Sequence, residues 1–577
     1  VAGHKNKRNK RNREEHRMAT MSAGQAVIEM LRAEGVDHVF GICGTTTNNI
    51  LTEMHGRSDI RFVDTRHEQN AAFMAYGYAR ASGKPTVCLT TSGPGTINLI
   101  TGIALAYKGR APVIVLAGDV PRELIDRDGN QAFDLVNLFK PITYMAQHVQ
   151  TTERVQEAVH NAFRTALSGK RGPVMLNIPR DLLDFKTIDY QARQPASYRA
   201  TDGRVQGDRE AIARAAALLA NAERPLLIGG GGVIDSDAAG DAVKLAEHLD
   251  MALIPSYGHS DSLPNSHPLF IGMPGWRGSP EAHEAIHHAD VVLALGSRLS
   301  QSTTAWNYSI LNPAAKIIQV DIDSAEVGRN FAVEVGIVGD AKVVAQQLLD
   351  ALRAGGKKSH PAWLAEIAQH KEKRKARLAA EANLTGTPMK PQRAYPEINK
   401  VLPKNCMVTI DAGICPGLAY DRFSYDLPRS VFNYAGHGGL GMGLCVGLGT
   451  KLGRPERPAM SIQGDGGFMY SIQELNTAVR FKIPHVSIVL NNGCHGSEKA
   501  QQLRFWNSKY IAVDLDNPRF DKAAEVFGAK GFYAERPQDI AGAVQAAFDC
   551  GGPAVVEIPV TQDFPLPSKA PGGGAVH

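Results

Sequence analysis

Along the chain, short runs of β-branched and apolar residues alternate with longer stretches in which apolar positions recur every three or four residues. SAGQAVIEMLRAEGVDHVFGI, from Ser22, reads as an amphipathic helix running into a short strand. RFVDT, PTVCLTTSG, PVIVLAGD and GPVMLNIP follow as strand candidates, ending near Phe185. Continuous apolar strands alternating with helices indicate a parallel sheet covered on both faces. Residues 21–185 are therefore expected to form one α/β domain. Residues 186–206, KTIDYQARQPASYRATDGRVQ, are polar and weakly periodic and read as a linker. The alternation resumes in PLLIGGGGVIDS, DVVLALGSRL and KIIQVDID, a second α/β domain over 207–350. The charged helical stretch WLAEIAQHKEKRKARLAAEANL and the Pro-containing TGTPMKPQRAYP mark a linker over 351–390. A third α/β domain over 391–560 takes its strands from CMVTIDAG, PAMSIQGDGG, VSIVLNNG and PAVVEIP. The ends read as a basic tail, 1–20, and a Pro/Gly-rich tail, 561–577. The expected fold class is α/β, with three successive doubly wound parallel-sheet domains.

Composition changes this picture little. At 577 residues and 43% hydrophobic content the chain can bury several cores. It has no apolar run long enough to span a bilayer, and charge stands where a signal peptide needs its apolar segment, so a cytoplasmic location without membrane contact is expected. The seven cysteines are odd in number and include no C-x-x-C pair, and they read as reduced thiols, mostly core. The net charge of +5 lies in the first 17 residues, which hold seven Lys/Arg and two Glu. The remainder is near neutral, which argues against a nucleic-acid partner.

Glycine turns after buried strands carry the candidate chemistry, because they put backbone N–H groups at the sheet edge where helix N-termini favour phosphate. Three stand out: TSGPGTIN at 91–98, GGGG at 229–232 and GDGG at 464–467. None is followed by Lys-Ser/Thr as a P-loop requires, and no dinucleotide fingerprint is present. The stretch GDGGFMYSIQELNTAVRFKIPHVSIVLNNG is distinct because it joins two polar turns. In it Ile472, Leu475 and Val479 recur at helical spacing, and HVSIVL then returns the chain to the same sheet edge. One βαβ crossover would bring Asp465 and Asn492 together. A carboxylate and an amide oxygen beside phosphate-binding backbone make a hard-oxygen site suited to Mg²⁺.

In these features the chain resembles the thiamine-diphosphate enzymes, whose cofactor signature is GDG followed at such spacing by NN, and most closely the acetolactate synthase and benzoylformate decarboxylase branch. The resemblance covers residues 21–560 and implies the domain order pyrimidine-binding, central, diphosphate-binding. It implies Asp465, Asn492 and the backbone carbonyl of Cys494 as Mg²⁺ ligands. Gly466, Gly467, Gly496 and Ser497 would border the diphosphate, with Gly413, Ile414 and Cys415 of the turn DAGICPG. Glu68, in a family-like RHE context, would be the acid that hydrogen-bonds the aminopyrimidine. In NYAGHGGLGMGL, the Gly438 carbonyl matches the acceptor for the cofactor's amino group, and Leu440 is either the wedge beneath the bent cofactor or a core residue.

Substrate residues are less determined by the resemblance. Thr45 occupies a pocket position, Gln131 matches a glutamine of the acetolactate synthase pocket, and Arg180 stands where that family carries lysine. His495, Glu498 and Gln501 depart from the synthases; His495 and Glu498 are either proton-transfer groups or solvated loop residues. In the central domain Gly229–Gly232, Ser297, Arg298, Asp321 and Asp323 stand where relatives hold FAD, ADP and a CoA thioester, or nothing. LGSRLSQSTTAW lacks the acidic pair expected in flavin-binding synthases. The resemblance further implies a homodimer or homotetramer with interfacial active sites. The expected function is a carbon–carbon lyase or carboligase acting on a 2-oxo acid. The alternatives are a 2-hydroxyacyl-CoA lyase or oxalyl-CoA decarboxylase relative using an acyl-CoA thioester, and a non-catalytic cofactor-binding paralogue, against which Glu68, Asp465 and Asn492 argue.

Overall fold

In a computed structural model describing residues 18–201, 203–305 and 307–564, the alternating pattern becomes three parallel sheets and one two-stranded ribbon. The chain divides into two compact units, Val1–Gly203 with Leu448–Arg454 and Arg204–Gly447 with Pro455–His577.

The first unit begins with β1 (Met18–Ser22), and Ser22 caps α1 (Ala23–Ala33) by accepting from the Gln25 N–H at 3.0 Å. Its sheet contains β2 (His38–Gly41), β3 (Arg61–Asp64), β4 (Thr86–Thr90), β5 (Val113–Asp119), β6 (Met145–His148) and β7 (Val174–Pro179), in the order β3-β2-β4-β5-β7-β6. β4, β5 and β7 are buried at every position, as strands covered on both faces must be. α2 (Glu68–Ser82) follows β3.

One difference concerns the domain ends. Thr187–Gln191, within the stretch read as linker, is β8, and it pairs antiparallel with β1 from Met18↔Gln191 to Ser22↔Thr187. Ile188 and Tyr190 face the core while Thr187 and Asp189 are exposed. Two apolar residues are too few for a strand to show in the pattern. Residues 18–20, assigned to the basic tail, are likewise part of β1; the rest of both tails up to residue 17 and from residue 565 lies outside the described residues.

In the second unit the central sheet runs β10-β9-β11-β12-β13, formed by β9 (Pro225–Gly229), β10 (Ala252–Pro255), β11 (Val291–Leu295), β12 (Lys316–Asp321) and β13 (Val335–Val338). The C-terminal sheet contains β14 (Met407–Ile410), β15 (Val431–Asn433), β16 (Ala459–Gly464), β17 (Val486–Asn491), β18 (Lys530–Tyr533) and β19 (Ala554–Pro559), ordered β15-β14-β16-β17-β19-β18. Numbered from its own first strand, each six-stranded sheet has the order 2-1-3-4-6-5, and the central sheet 2-1-3-4-5. In all three the winding reverses between the first and third strands, which opens a crevice at their carboxyl ends.

Within this unit α3 (Pro280–His288) packs against the long α4 (Pro361–Glu381), whose buried Trp363 donates its indole N–H to the Pro225 carbonyl at 3.0 Å. Farther along, Arg374 and Arg377 reach the buried carboxylate of Asp421 at 2.8 Å each, and Arg377 also bonds Glu281 on α3. Among the described residues the cysteines are all free, five of the seven buried, and no helix is long and apolar enough to cross a membrane.

Candidate functional site

The crevice between β14 and β16 holds a cleft of about 500 Å³, built from the three loops that follow β14, β16 and β17 and from the segment around Leu440. Gly464 pairs with Leu490, so the two neighbouring strands release their chains side by side, Asp465 from one and Asn491 and Asn492 from the other. Asp465 opens α5 (Asp465–Met469); α6 (Glu474–Arg480) then crosses over the sheet, with Leu475 and Ala478 buried and Ile472 and Val479 partly so. Asp465, Gly466, Gly467, Asn492 and Cys494 all line the cleft, together with Gly413, Ile414, Cys415 and Leu440. α7 (Gly496–Phe505) points its first turn at the same space: Gly496, Ser497 and Glu498 line it, as does His495 at the cap position. Gly438, which is exposed with φ +78°, and Gln501 are not among the lining residues.

The Asp465 side chain is 1% exposed, and burial raises its pKa against the opposing hydrogen bonds from backbone N–H groups and Asn517. Asn517 Nδ2 donates to Asp465 Oδ2 at 2.7 Å and lies 3.1 Å from Asn491 Oδ1. Asn491 in turn donates to Glu557 at 2.8 Å, so of the asparagine pair the first is a brace and the second faces the cleft. Asn492 Oδ1 accepts from the Cys494 N–H at 3.3 Å. The glycines are required by close approach. A Cβ on Gly466 would lie 2.7 Å from His495 Nδ1, and one on Gly467 2.6 Å from Asp411 Oδ2. Burial pushes the Cys415 and Cys494 thiols up to about 12, so both are neutral linings rather than nucleophiles.

Two polar groups of this site escape the motif. Asp411 directly follows β14 as Asp465 directly follows β16; it is fully buried, and burial raises its pKa to about 7 although the N–H groups of Ala412 and Gly441–Gly443 oppose the shift. The signal was this repeated placement of an aspartate at the end of an apolar strand. Asn517 had none, since it lies in an irregular loop 52 residues from its partner.

In the first unit, the candidate residues gather where β2, β3 and β4 end. Glu68 is the first residue of α2; its Oε2 accepts from Asn98 at 2.9 Å, and its Oε1 lies 3.3 Å from where a Cβ on Gly95 would stand. Gln131, at φ +67°, accepts from Ser92 Oγ at 3.2 Å, so both residues lean on the turn TSGPGTIN. Thr45 is exposed beside Thr46, whose hydroxyl is 3.0 Å from that of Thr91. Arg180 is engaged by Asp184 four residues on.

The GGGG turn of the central sheet has a packing explanation. A Cβ on Gly230 would fall 2.2 Å from the Gly296 carbonyl oxygen, and one on Gly232 2.7 Å from Gly296 Cα, so two backbones touch there. Ser297 bonds Ser256 at 2.7 Å, Arg298 accepts from Asn330 at 2.8 Å through its carbonyl, and Asp321 and Asp323 accept from backbone N–H groups of their own turn.

Three family models match in order: the N-terminal TPP binding domain of thiamine pyrophosphate enzymes over residues 21–138, their central domain over 212–348, and their C-terminal TPP binding domain over 411–558. The chain is 35% identical to a probable acetolactate synthase large subunit of Methanocaldococcus jannaschii, covering 96% of this chain and 94% of that protein. It is 32% identical to the acetolactate synthase large subunit of Haemophilus influenzae, covering 97% and 98%. A sulfoacetaldehyde acetyltransferase of Alcaligenes xylosoxydans xylosoxydans is also 32% identical, over 95% and 94%.

Proposed function

Because the chain belongs to the thiamine-diphosphate-dependent enzymes, in their acetolactate synthase-like branch, we propose that it is a Mg²⁺-requiring carboligase that joins a unit taken from a 2-oxo acid to an acceptor. The observation that supports it best is the meeting of Asp465, Asn492 and Cys494 with two glycine-rich turns on one cleft at the winding reversal. A carboxylate, an amide oxygen and a peptide carbonyl are the donors Mg²⁺ takes alongside phosphate and water. A cation there also offsets the cost of keeping the Asp465 charge out of water, the cost that raises its pKa.

Bound thiamine diphosphate supplies the electron sink that lets a bond beside a carbonyl carbon break or form. The backbone of Gly466, Gly467, Gly496 and Ser497, with Gly413, Ile414 and Cys415, holds the diphosphate. Leu440, which lines the cleft, would support the bend of the bound cofactor, and the Gly438 carbonyl, which does not line it, would have to turn inward to accept from the amino group. Glu68 holds a proton for the aminopyrimidine ring, its Oε2 fixed by Asn98. Thr45 and Gln131 orient the substrate's oxygens. His495 and Glu498 move protons at the substrate. Glu68 and the diphosphate site come from different copies in a homodimer.

A second reading concerns the acceptor. The similarity to sulfoacetaldehyde acetyltransferases and the polar pair His495 and Glu498 in the cleft favour transfer of an acetyl unit to an acceptor other than a 2-oxo acid. The test is a panel of 2-oxo acids, sulfoacetaldehyde, and 2-hydroxyacyl-CoA thioesters, with cofactor and Mg²⁺ present, read by product mass. Ligation products from 2-oxo acids alone support the first reading. Turnover of only the thioesters overturns both.

A further inference from the structure

We propose that His288, Glu366 and His370 form a binding site for a zinc-class divalent metal, away from the cofactor cleft, that fastens α3 to α4. Glu366 and His370 are four residues apart and so share one face of α4, on consecutive turns. His288 is the last residue of α3. One ligand atom from each side chain lies within 4.8 Å of the other two. Glu366 Oε1 is 3.6 Å from His370 Nε2 and also contacts His288 Nδ1. Ligands of a tetrahedral ion with bonds of about 2.0–2.1 Å stand about 3.3 Å apart, so small side-chain rotations would complete the triangle.

The second observation is His370 itself. Its side chain is 3% exposed, yet neither ring nitrogen makes a hydrogen bond of normal length, each facing a carboxylate oxygen at 3.5–3.6 Å. Buried imidazoles are normally satisfied. Here Nε2 is turned toward Glu366, and Nδ1 stands 3.5 Å from Glu284 Oε2. That is the arrangement in which an outer carboxylate orients a metal-bound histidine. The other Glu366 oxygen, Oε2, is 3.6 Å from Arg224 Nε, which leaves Oε1 for the ion. His288 is exposed, so water or a small anion can complete the coordination. Two imidazoles and one carboxylate select zinc, cobalt or nickel over Mg²⁺, which prefers oxygen donors only. The ion would therefore not compete with the metal of the cleft.

The test is calorimetric titration of the full chain with Zn²⁺, after saturation with thiamine diphosphate and Mg²⁺, together with Co²⁺ titration read by its visible d–d absorption. Wild type is expected to take up one Zn²⁺ per chain and to show the Co²⁺ band. His288→Ala and His370→Gln each lose at least about tenfold in Zn²⁺ affinity, as loss of a ligand should exceed loss of an outer partner, and the band weakens. Turnover is unchanged in His288→Ala, whose exposed position also guards against misfolding. Absence of saturable Zn²⁺ uptake overturns the site, as does equal affinity in wild type and His288→Ala, which would put the ion on other histidines.

Discussion

Asp465 and Glu68 are the two acids on which the proposed chemistry turns, and their surroundings differ. Asp465 is sealed, braced by Asn517 and raised in pKa by burial, a state suited to holding a cation. Asp465→Ala is expected to abolish Mg²⁺-dependent binding of thiamine diphosphate, measured by calorimetry; unchanged binding would refute its role. Glu68 is only half-buried and fixed through one oxygen by Asn98. Glu68→Gln keeps that contact but cannot give up a proton, so turnover should fall by at least about 100-fold with an unchanged circular dichroism spectrum. Full activity in this variant would remove the proposed acid. At this scale the sequence motif reaches the residues facing the cleft and stops at their supports. Asn492 is legible because the stretch from Asp465 reads as a helical crossover and a returning strand, whereas Asn517 acts through contacts that no periodicity encodes and Asp411 shows only as a second aspartate at the end of an apolar strand.

At the scale of elements, α4 is held by charge as much as by burial. Burial alone would raise the Asp421 pKa, but Arg374, Arg377 and Arg422 outweigh it and the net shift is downward. A carboxyl with a lowered native pKa adds stability that is fully present above its ordinary value of 3.8 and is lost as pH falls through the native value. Asp421→Asn is expected to cost about 3 kcal/mol at neutral pH, the low end for a broken buried pair because both arginines keep some contact with water. Guanidinium unfolding followed by the second unit's transition checks this. The deficit should shrink below pH 3.8, and a pH-independent deficit would mean that packing rather than charge is responsible.

Strand legibility also has a physical cause. Every interior strand of the three sheets shows in the hydrophobic pattern, since burial on both faces demands an apolar run. The edge strands do not show, with the exception of β3. β6 reads MAQH and is half-buried throughout, β18 reads KGFY with an exposed lysine, and β15 has only three residues. β10 and β13 are four residues each. With one neighbour and one open side, such strands are specified by the sheet they join.

At the scale of the whole molecule, two sheets with the same 2-1-3-4-6-5 winding divide the work. One carries Glu68 and Gln131 at its carboxyl edge, and the other carries the cleft whose residues we propose to hold the diphosphate and metal. The proposed dimer pairs the acid of one copy with the cleft of the other. At the end of α7 and just beyond it, Phe505, Trp506, Tyr510 and Ile511 are exposed, an apolar group suited to cover by a second copy. Specific activity should therefore fall on dilution in step with loss of dimer in analytical ultracentrifugation. A fully active monomer would sink the arrangement.

The β1–β8 ribbon gives the first unit a mechanical property. The chain enters at Met18 and leaves at Gln191, and these two residues face each other at one end of an antiparallel pair. Tension between the domain's ends meets hydrogen bonds that lie along the pull, so they open rung by rung instead of resisting together. The ribbon is a zipper with both tabs on the same side: a weak seam under force, yet one that closes the domain's whole length on itself at rest.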